Sequence, residues 1–150
     1  MLKKLSRHGT GELTVTKEQR KKLRMLFGGK CAYCGCELPE KGWHADHAEP
    51  IVRKTVQDME AAKKGKIRFK QTGECYHPEL DNEDNLVPAC KACNIYKGCS
   101  GVEEFRQAIT RVTVNSLDRT QSLRAAKRFG IVAVDESPVT FWFEKYQQEN

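Results

Sequence analysis

The chain has 150 residues, 39% of them hydrophobic and 31% charged, with a formal net charge of +6. That length suits one domain, or one domain with a short appendage, able to bury roughly 68–70% of its unfolded surface. No apolar run reaches the ~20 residues that cross a bilayer, and Met1–Arg7 is not followed by the apolar stretch of a secretory signal, so a membrane protein, a secreted protein with a cleaved leader and a disordered tail are not expected.

The positive charge is unevenly distributed. Residues 1–30 hold nine basic side chains against Glu12 and Glu18, while the remaining 120 residues hold 17 basic and 18 acidic ones. The basic excess therefore sits in the N-terminal fifth. This asymmetry suits a polyanionic partner, most simply nucleic acid, with a solvated basic face as the plainer reading.

In chain order, residues 1–15 read as an irregular basic arm interrupted by Gly9 and Gly11. Thr16 and Gln19 have the spacing of a capping box, which predicts a helix over 17–27 with Leu23, Leu26 and Phe27 inward, ended by Gly28-Gly29. Residues 43–52 contain a strand with Trp43, Ala45 and His47, ended by Pro50. Residues 55–64 are helical in composition and stop at Gly65; 66–84 read as a loop-rich insertion. A second apolar element covers 85–89, and a short helix 94–98. Ser100-Gly101-Val102-Glu103 has the pattern of another capping box, opening a helix to about Val112. A further helix covers about 117–129, stopping at Gly130, with Arg119, Arg124, Lys127 and Arg128 as a basic stripe. Residues 131–134 and 139–143 alternate like the arms of a hairpin around Asp135-Glu136-Ser137-Pro138. Trp43, Phe105, Phe129, Phe141 and Phe143 are the natural core residues.

Seven cysteines and no leader argue against a disulfide framework. Four of them form two matched pairs, Cys31-Ala32-Tyr33-Cys34 and Cys90-Lys91-Ala92-Cys93. Two intervening residues let both sulfurs of a pair face one ion, so two pairs predict a tetrahedral four-thiolate zinc site that is structural, with no position left for water. The 55 residues between Cys34 and Cys90 exceed a zinc ribbon's spacing, but loop closure costs rise slowly with length. Cys36 is a competing thiol; Cys75 and Cys99 are expected to be free.

Between the knuckles stands Asp46-His47. Asn85-Leu86 precedes the second knuckle, and Asn94, nine residues after Asn85, follows Cys93, with Lys97-Gly98 beyond. This order over roughly residues 20–100 resembles the HNH endonuclease family, in the form whose last histidine is replaced by asparagine. The run Pro78-Glu79-Leu80-Asp81-Asn82 and the C-terminal Phe141-Trp142-Phe143-Glu144-Lys145 add a likeness to HNH proteins of phage and prophage genomes. The resemblance implies an α+β fold with a ββα-metal core, Asp46-His47 and the Asn85 region on its two strands and a helix starting near Asn94. It implies His47 as general base and Asp46 and Asn94 as ligands of a catalytic Mg²⁺ or Mn²⁺. Asn85 would orient the His47 loop through backbone bonds. The chemistry suits these residue types: imidazole accepts a proton near neutral pH, and carboxylate and amide oxygens are hard ligands. Two features depart from the commonest pattern: Pro50-Ile51-Val52-Arg53-Lys54 and a long insertion stand where many members carry Ser and paired Gly, and Asn94 stands for histidine.

The expected organisation is an N-terminal arm over 1–15, a nuclease core over 16–100 with an insertion at about 53–84, and a helical and hairpin extension over 101–150 packed on the core. The expected function is metal-dependent cleavage of DNA, by nicking or double-strand cutting, leaving 5′-phosphate and 3′-hydroxyl ends, in the cytoplasm of a bacterial or phage-infected cell. Lys17, Arg20, Lys21, Arg24 and Lys97 are the expected phosphate contacts, and affinity should fall with salt. Lys63, Lys64, Lys66, Arg68 and Lys70 read first as a solvated run and second as a DNA backbone contact. His44 is a strand residue, His77 a loop residue and His8 part of the arm. One active site cuts one strand, so a double-strand cut is expected to need a homodimer or two visits. Two other classes stay open: a non-catalytic zinc module that binds nucleic acid, which has no need of Asp46, His47 and Asn94 together, and a partner-dependent accessory to a phage packaging or restriction machine.

Overall fold

The computed structural model describes residues 15–135 and 137–149, so the expected arm falls almost wholly outside the described residues. Helix α1 spans Lys17–Met25 and begins as its capping box dictates: the Thr16 hydroxyl accepts from Gln19 N, and the Gln19 side chain accepts from Thr16 N. Leu23 packs on the core and Phe27 is buried, but Leu26 is half exposed because the chain leaves helical geometry just beyond it.

Two antiparallel strand pairs follow. β1 (His44–His47) pairs with β4 (Leu86–Ala89), setting Asp46 opposite Val87 and His47 opposite Leu86. Directly after β4 comes helix α3 (Lys91–Lys97), whose first turn is capped by the Cys90 sulfur accepting from Cys93 N. It packs against β1. The second pair is β2 (Arg53–Gln57) with β3 (Phe69–Cys75).

This second pair corrects the expectation over 55–84. The helix there is reduced to α2 (Met59–Lys63), started by the Asp58 carboxylate accepting from Glu60 N and Ala61 N. Thr55 and Val56 are β-branched and go instead into a strand. The stretch expected to be a loop supplies the partner strand, which polar composition concealed because neither face of the pair is buried. Two short 3₁₀ turns, Pro78–Leu80 and Glu83–Asn85, return the chain to β4.

The C-terminal third is also rearranged. α4 (Val102–Gln107) starts from Gly101 with no side-chain cap, so the expected Ser100 capping box is not formed. The helix widens into a π-helical stretch over Ala108–Thr113 and then α5 (Val114–Leu117); α6 (Gln121–Arg128) is capped by Thr120. No strand occurs among the described residues of 131–143, and Trp142–Glu149 is helix α7. The alternation that reads as a hairpin has another cause. Phe141 is buried, while Trp142 N and Phe143 N donate to Tyr33 O and Ala32 O of the first knuckle. The Glu144 carboxylate reaches back to Phe141 N, half of a capping box without the usual hydroxyl residue.

The core is a cluster of Cys31, Tyr33, Leu38, Trp43, Ala89, Phe105 and Phe141. Tyr33 meets Phe105 and Phe141 edge-on at centroid distances of 5.3 and 5.4 Å, while Phe105 and Phe141 stack at 5.5 Å. The C-terminal segment thus closes the core over the first knuckle. Phe129, expected inside, is 78% exposed at the end of α6. No helix among the described residues is long and apolar enough to cross a membrane.

Two measurements probe this packing. Val52, where the chain enters β2, has φ +44, a left-handed value that a β-branched residue adopts at a cost and asparagine tolerates better. Val52→Asn is expected to raise stability by about 1 kcal/mol in denaturant titration. Arg106 bonds Glu144 and holds its carboxyl below the ordinary glutamate value. A depressed carboxyl contributes stability that is present above its unfolded pKa and is lost as pH falls through the folded one. The thermal-midpoint gap between wild type and Glu144→Gln is therefore expected to be widest near neutrality and to close as pH falls below the ordinary carboxylate range.

Candidate functional site

The two knuckles meet. The sulfurs of Cys31, Cys34, Cys90 and Cys93 all lie within 4.8 Å of one another, and Cys34 Sγ is 3.9 Å from Cys90 Sγ. Sulfurs about 2.3 Å from one zinc ion at tetrahedral angles would be about 3.8 Å apart. The first knuckle is held by Gly35 N donating to Cys31 O and Cys31 N to Cys36 O, and the Trp142 ring lies 3.2 Å from where a Cβ on Gly35 (φ +74) would stand. Backbone N–H groups also aim at sulfur: Cys90 N at Cys31 Sγ (3.3 Å) and Cys93 N at Cys90 Sγ (3.4 Å).

The thiols titrate against one another. The Cys93 hydrogen bond, the largest of several effects, brings Cys31 down to about 4, while that same contact and burial push Cys93 far up. Crowded thiolates repel, and a doubly positive ion removes that penalty. The four cysteines are in position to bind a metal ion and are compatible with structural zinc. Cys36 is exposed and stands outside the set, beside Cys34 and Cys90.

The zinc-type knuckles carry a second centre on their backs. Tyr33, inside the first knuckle, donates its hydroxyl to Asp46 Oδ2 at 2.5 Å. Burial, then the Asp46 charge, push the Tyr33 phenol well above its ordinary value, so it remains a donor. Lys97, at the end of the helix that begins in the second knuckle, places Nζ 3.1 Å from that same oxygen and 2.7 Å from His47 O. Asp46 and Lys97 are 8% and 2% exposed, so each is a buried charge neutralised by the other. Lys97 was expected at a phosphate; its ammonium is instead spent inside the protein.

His47, the next residue of β1, faces elsewhere, as strand alternation requires. Its Nε2 is 2.9 Å from Asp81 Oδ1; the imidazole is 18% exposed and Asp81 is buried. Asp81 thus engages one ring nitrogen, Nε2. Asn85 braces the loop after His47: its Oδ1 accepts from Glu49 N, its Nδ2 donates to Glu49 O and Leu80 O, and its carbonyl accepts from Ala48 N. Since Leu80 adjoins Asp81, one asparagine side chain ties the loops that carry both members of the His47–Asp81 pair. Asn94 is half-buried in the middle of α3, one turn before Lys97 and one turn after Cys90.

The α1 residues expected at phosphate divide. Arg20 donates to Trp43 O at 2.6 Å and stacks on the Trp43 ring at 4.0 Å, and Arg24 donates to Leu38 O and Pro39 O. Both hold the loop before β1, which corrects the expectation that they face phosphate. Lys17 and Lys21 are exposed. Neither Tyr33 nor Asp81 is marked by local spacing in the sequence. Asp81 lies in the Pro78–Asn82 run that the resemblance includes, but its pairing with His47 spans 34 positions. For Tyr33 the only sequence signal is its place between two metal-type cysteines.

Among the described residues, the four-cysteine set is the only grouping of three or more His, Cys, Asp or Glu ligand atoms. Comparisons with protein-family models, curated proteins and solved structures return no match.

Cys31→Ser or Cys93→Ser is expected to abolish bound zinc, measured by elemental analysis, and to lower the thermal midpoint by more than about 10 °C. Cys36→Ser is expected to change neither.

Proposed function

We propose that the chain is a metal-dependent endonuclease of the HNH type that hydrolyses DNA phosphodiester bonds, with a structural zinc bound by Cys31, Cys34, Cys90 and Cys93. The observation that carries this reading is the His47–Asp81 pair, set on the same strand as the buried Asp46. The β1–β4 pair running straight into α3 supports a ββα arrangement for the core.

In this reading the Asp81 carboxylate holds the imidazole through Nε2, and Nδ1 takes the proton of a water attacking phosphorus. The new bond joins the water oxygen to phosphorus, the bond to the 3′ oxygen breaks, and that oxygen takes a proton from solvent water, while the proton held on Nδ1 returns to solvent. The products carry a 5′-phosphate and a 3′-hydroxyl, as the resemblance implies. Asp46 and Asn94 offer one carboxylate and one amide oxygen. This donor set suits Mg²⁺ or Mn²⁺, which usually take one or two protein oxygens and complete their shells with water and phosphate. An ion held there would supply positive charge for the phosphate and the leaving oxygen. Lys97 bonds both the Asp46 carboxylate and the His47 carbonyl and so fixes the strand that carries them. Each centre cuts one strand, so a double-strand break takes two visits or a homodimer.

One observation favours a second reading, a zinc module that binds nucleic acid without cutting it. The Asp46 charge is already neutralised by Lys97, so the fold does not require a catalytic ion.

Plasmid cleavage separates the two. Zinc-loaded wild type is expected to cut with added Mg²⁺ or Mn²⁺ and not without. His47→Ala, zinc intact, is expected to lose roughly 10²–10⁴-fold in rate, with Asp81→Asn losing less. Failure of the folded wild type to cut any DNA with either metal, while still binding it, would support the module instead.

A further inference from the structure

We propose that the β2–β3 hairpin, residues 53–75, is a β-ribbon that docks in a groove of duplex DNA and presents it to the His47 centre. This rests on the DNA partner of the reading above.

The ribbon grows out of the site. Its root is held by Tyr76 N donating to Val52 O and His77 N to Ile51 O, between His47 at the end of β1 and Asp81. Residues 53–75 carry seven basic and three acidic side chains, a net of +4, whereas residues 31–150 as a whole carry −1. The positive charge of this part of the chain is therefore concentrated on the ribbon.

Its three acids are consumed internally: Asp58 by Lys70 (2.9 Å), Glu60 by Lys63 (2.9 Å) and Glu74 by Lys54 (3.2 Å). Lys64, Lys66 and Arg68, at the end of the ribbon, are exposed, and among the described residues no acidic group pairs with them. Beside them Ile67 is 85% and Phe69 62% exposed.

The strand register gives the ribbon two faces. Thr55 stands opposite Gln71 and Gln57 opposite Phe69 on one face, and Val56 opposite Lys70 on the other. No residue of β2 or β3 is buried, and an isolated two-stranded hairpin is marginal in water. A polyanionic partner supplies what the hairpin lacks. The major groove of B-DNA admits a two-stranded ribbon, and amide side chains pair with base edges there. Gln57 and Gln71 meet that description, on one face of a ribbon whose end carries Lys64, Lys66 and Arg68. The pairing register shifts near the root, between Arg53 and Thr55, with Gly73 at φ +84 in the facing strand.

The test is fluorescence anisotropy with a labelled duplex and the full zinc-loaded chain, without added Mg²⁺ or Mn²⁺, across a salt series. The triple variant Lys64→Ala, Lys66→Ala, Arg68→Ala removes only exposed side chains; zinc content and thermal midpoint check its fold. Its affinity is expected to fall by roughly tenfold or more at 0.1 M salt, and the slope of log affinity against log salt to shrink by about 2.7. Arg119→Ala, Arg128→Ala, Lys145→Ala, an equal loss of charge elsewhere, is expected to change the slope much less. Equal effects of the two triples, wild-type binding by the ribbon variant, or no DNA binding by wild type would each overturn the proposal. Binding through the ribbon with no cleavage would overturn the nuclease reading alone, and cleavage unaffected by the ribbon variant would overturn the ribbon alone.

Discussion

Two short knuckles, separated by 55 residues of chain, are drawn to within sulfur-contact distance of each other, and the rest of the molecule is organised around that junction. Tyr33 rides on the first knuckle and Lys97 on the helix that leaves the second. Both converge on one oxygen of Asp46. The sulfur cluster is thus mechanically joined to the residue beside His47. Loosening either knuckle would leave a buried carboxylate or a buried ammonium without its partner, a costlier state than the loss of one surface contact.

The same junction explains why the C-terminal segment is needed. Phe105 and Phe141 complete the ring cluster around Tyr33, and the backbone of Trp142 and Phe143 bonds to the knuckle itself. Arg106 braces this layer by bonding Val139 O and both oxygens of Glu144. The insertion between the strands stands in contrast. It has no buried residue in either strand and is joined to the body at its root, where Val52 holds a left-handed backbone and Ile51 is buried. A rigid centre and a lightly supported ribbon are therefore consecutive parts of one chain.

The centre itself separates two tasks by strand alternation. Asp46 points inward to fixed donors, and His47 points to Asp81 with part of its ring open to solvent. Asn85 keeps the loops around His47 and Asp81 in register with no charge of its own. These groups are therefore held in place by the fold itself, before any ligand arrives.

Read alone, the sequence determined the features written in local spacing. The two cysteine pairs announced their cluster and the Thr16–Gln19 box announced α1, because capping and knuckle geometry depend on residues a few positions apart. Tertiary structure decided the rest. It turned Lys97, Arg20 and Arg24 from expected phosphate contacts into internal braces, since whether a cation meets solvent or a carbonyl depends on what distant chain folds against it. It paired β2 with β3 although neither carries a buried face, and made a helix of the aromatic C terminus, whose alternation reflected two different neighbours. It also selected Asp81 and Tyr33, whose partners lie 34 and 13 positions away, because a hydrogen bond across such distances leaves no periodic trace in the chain.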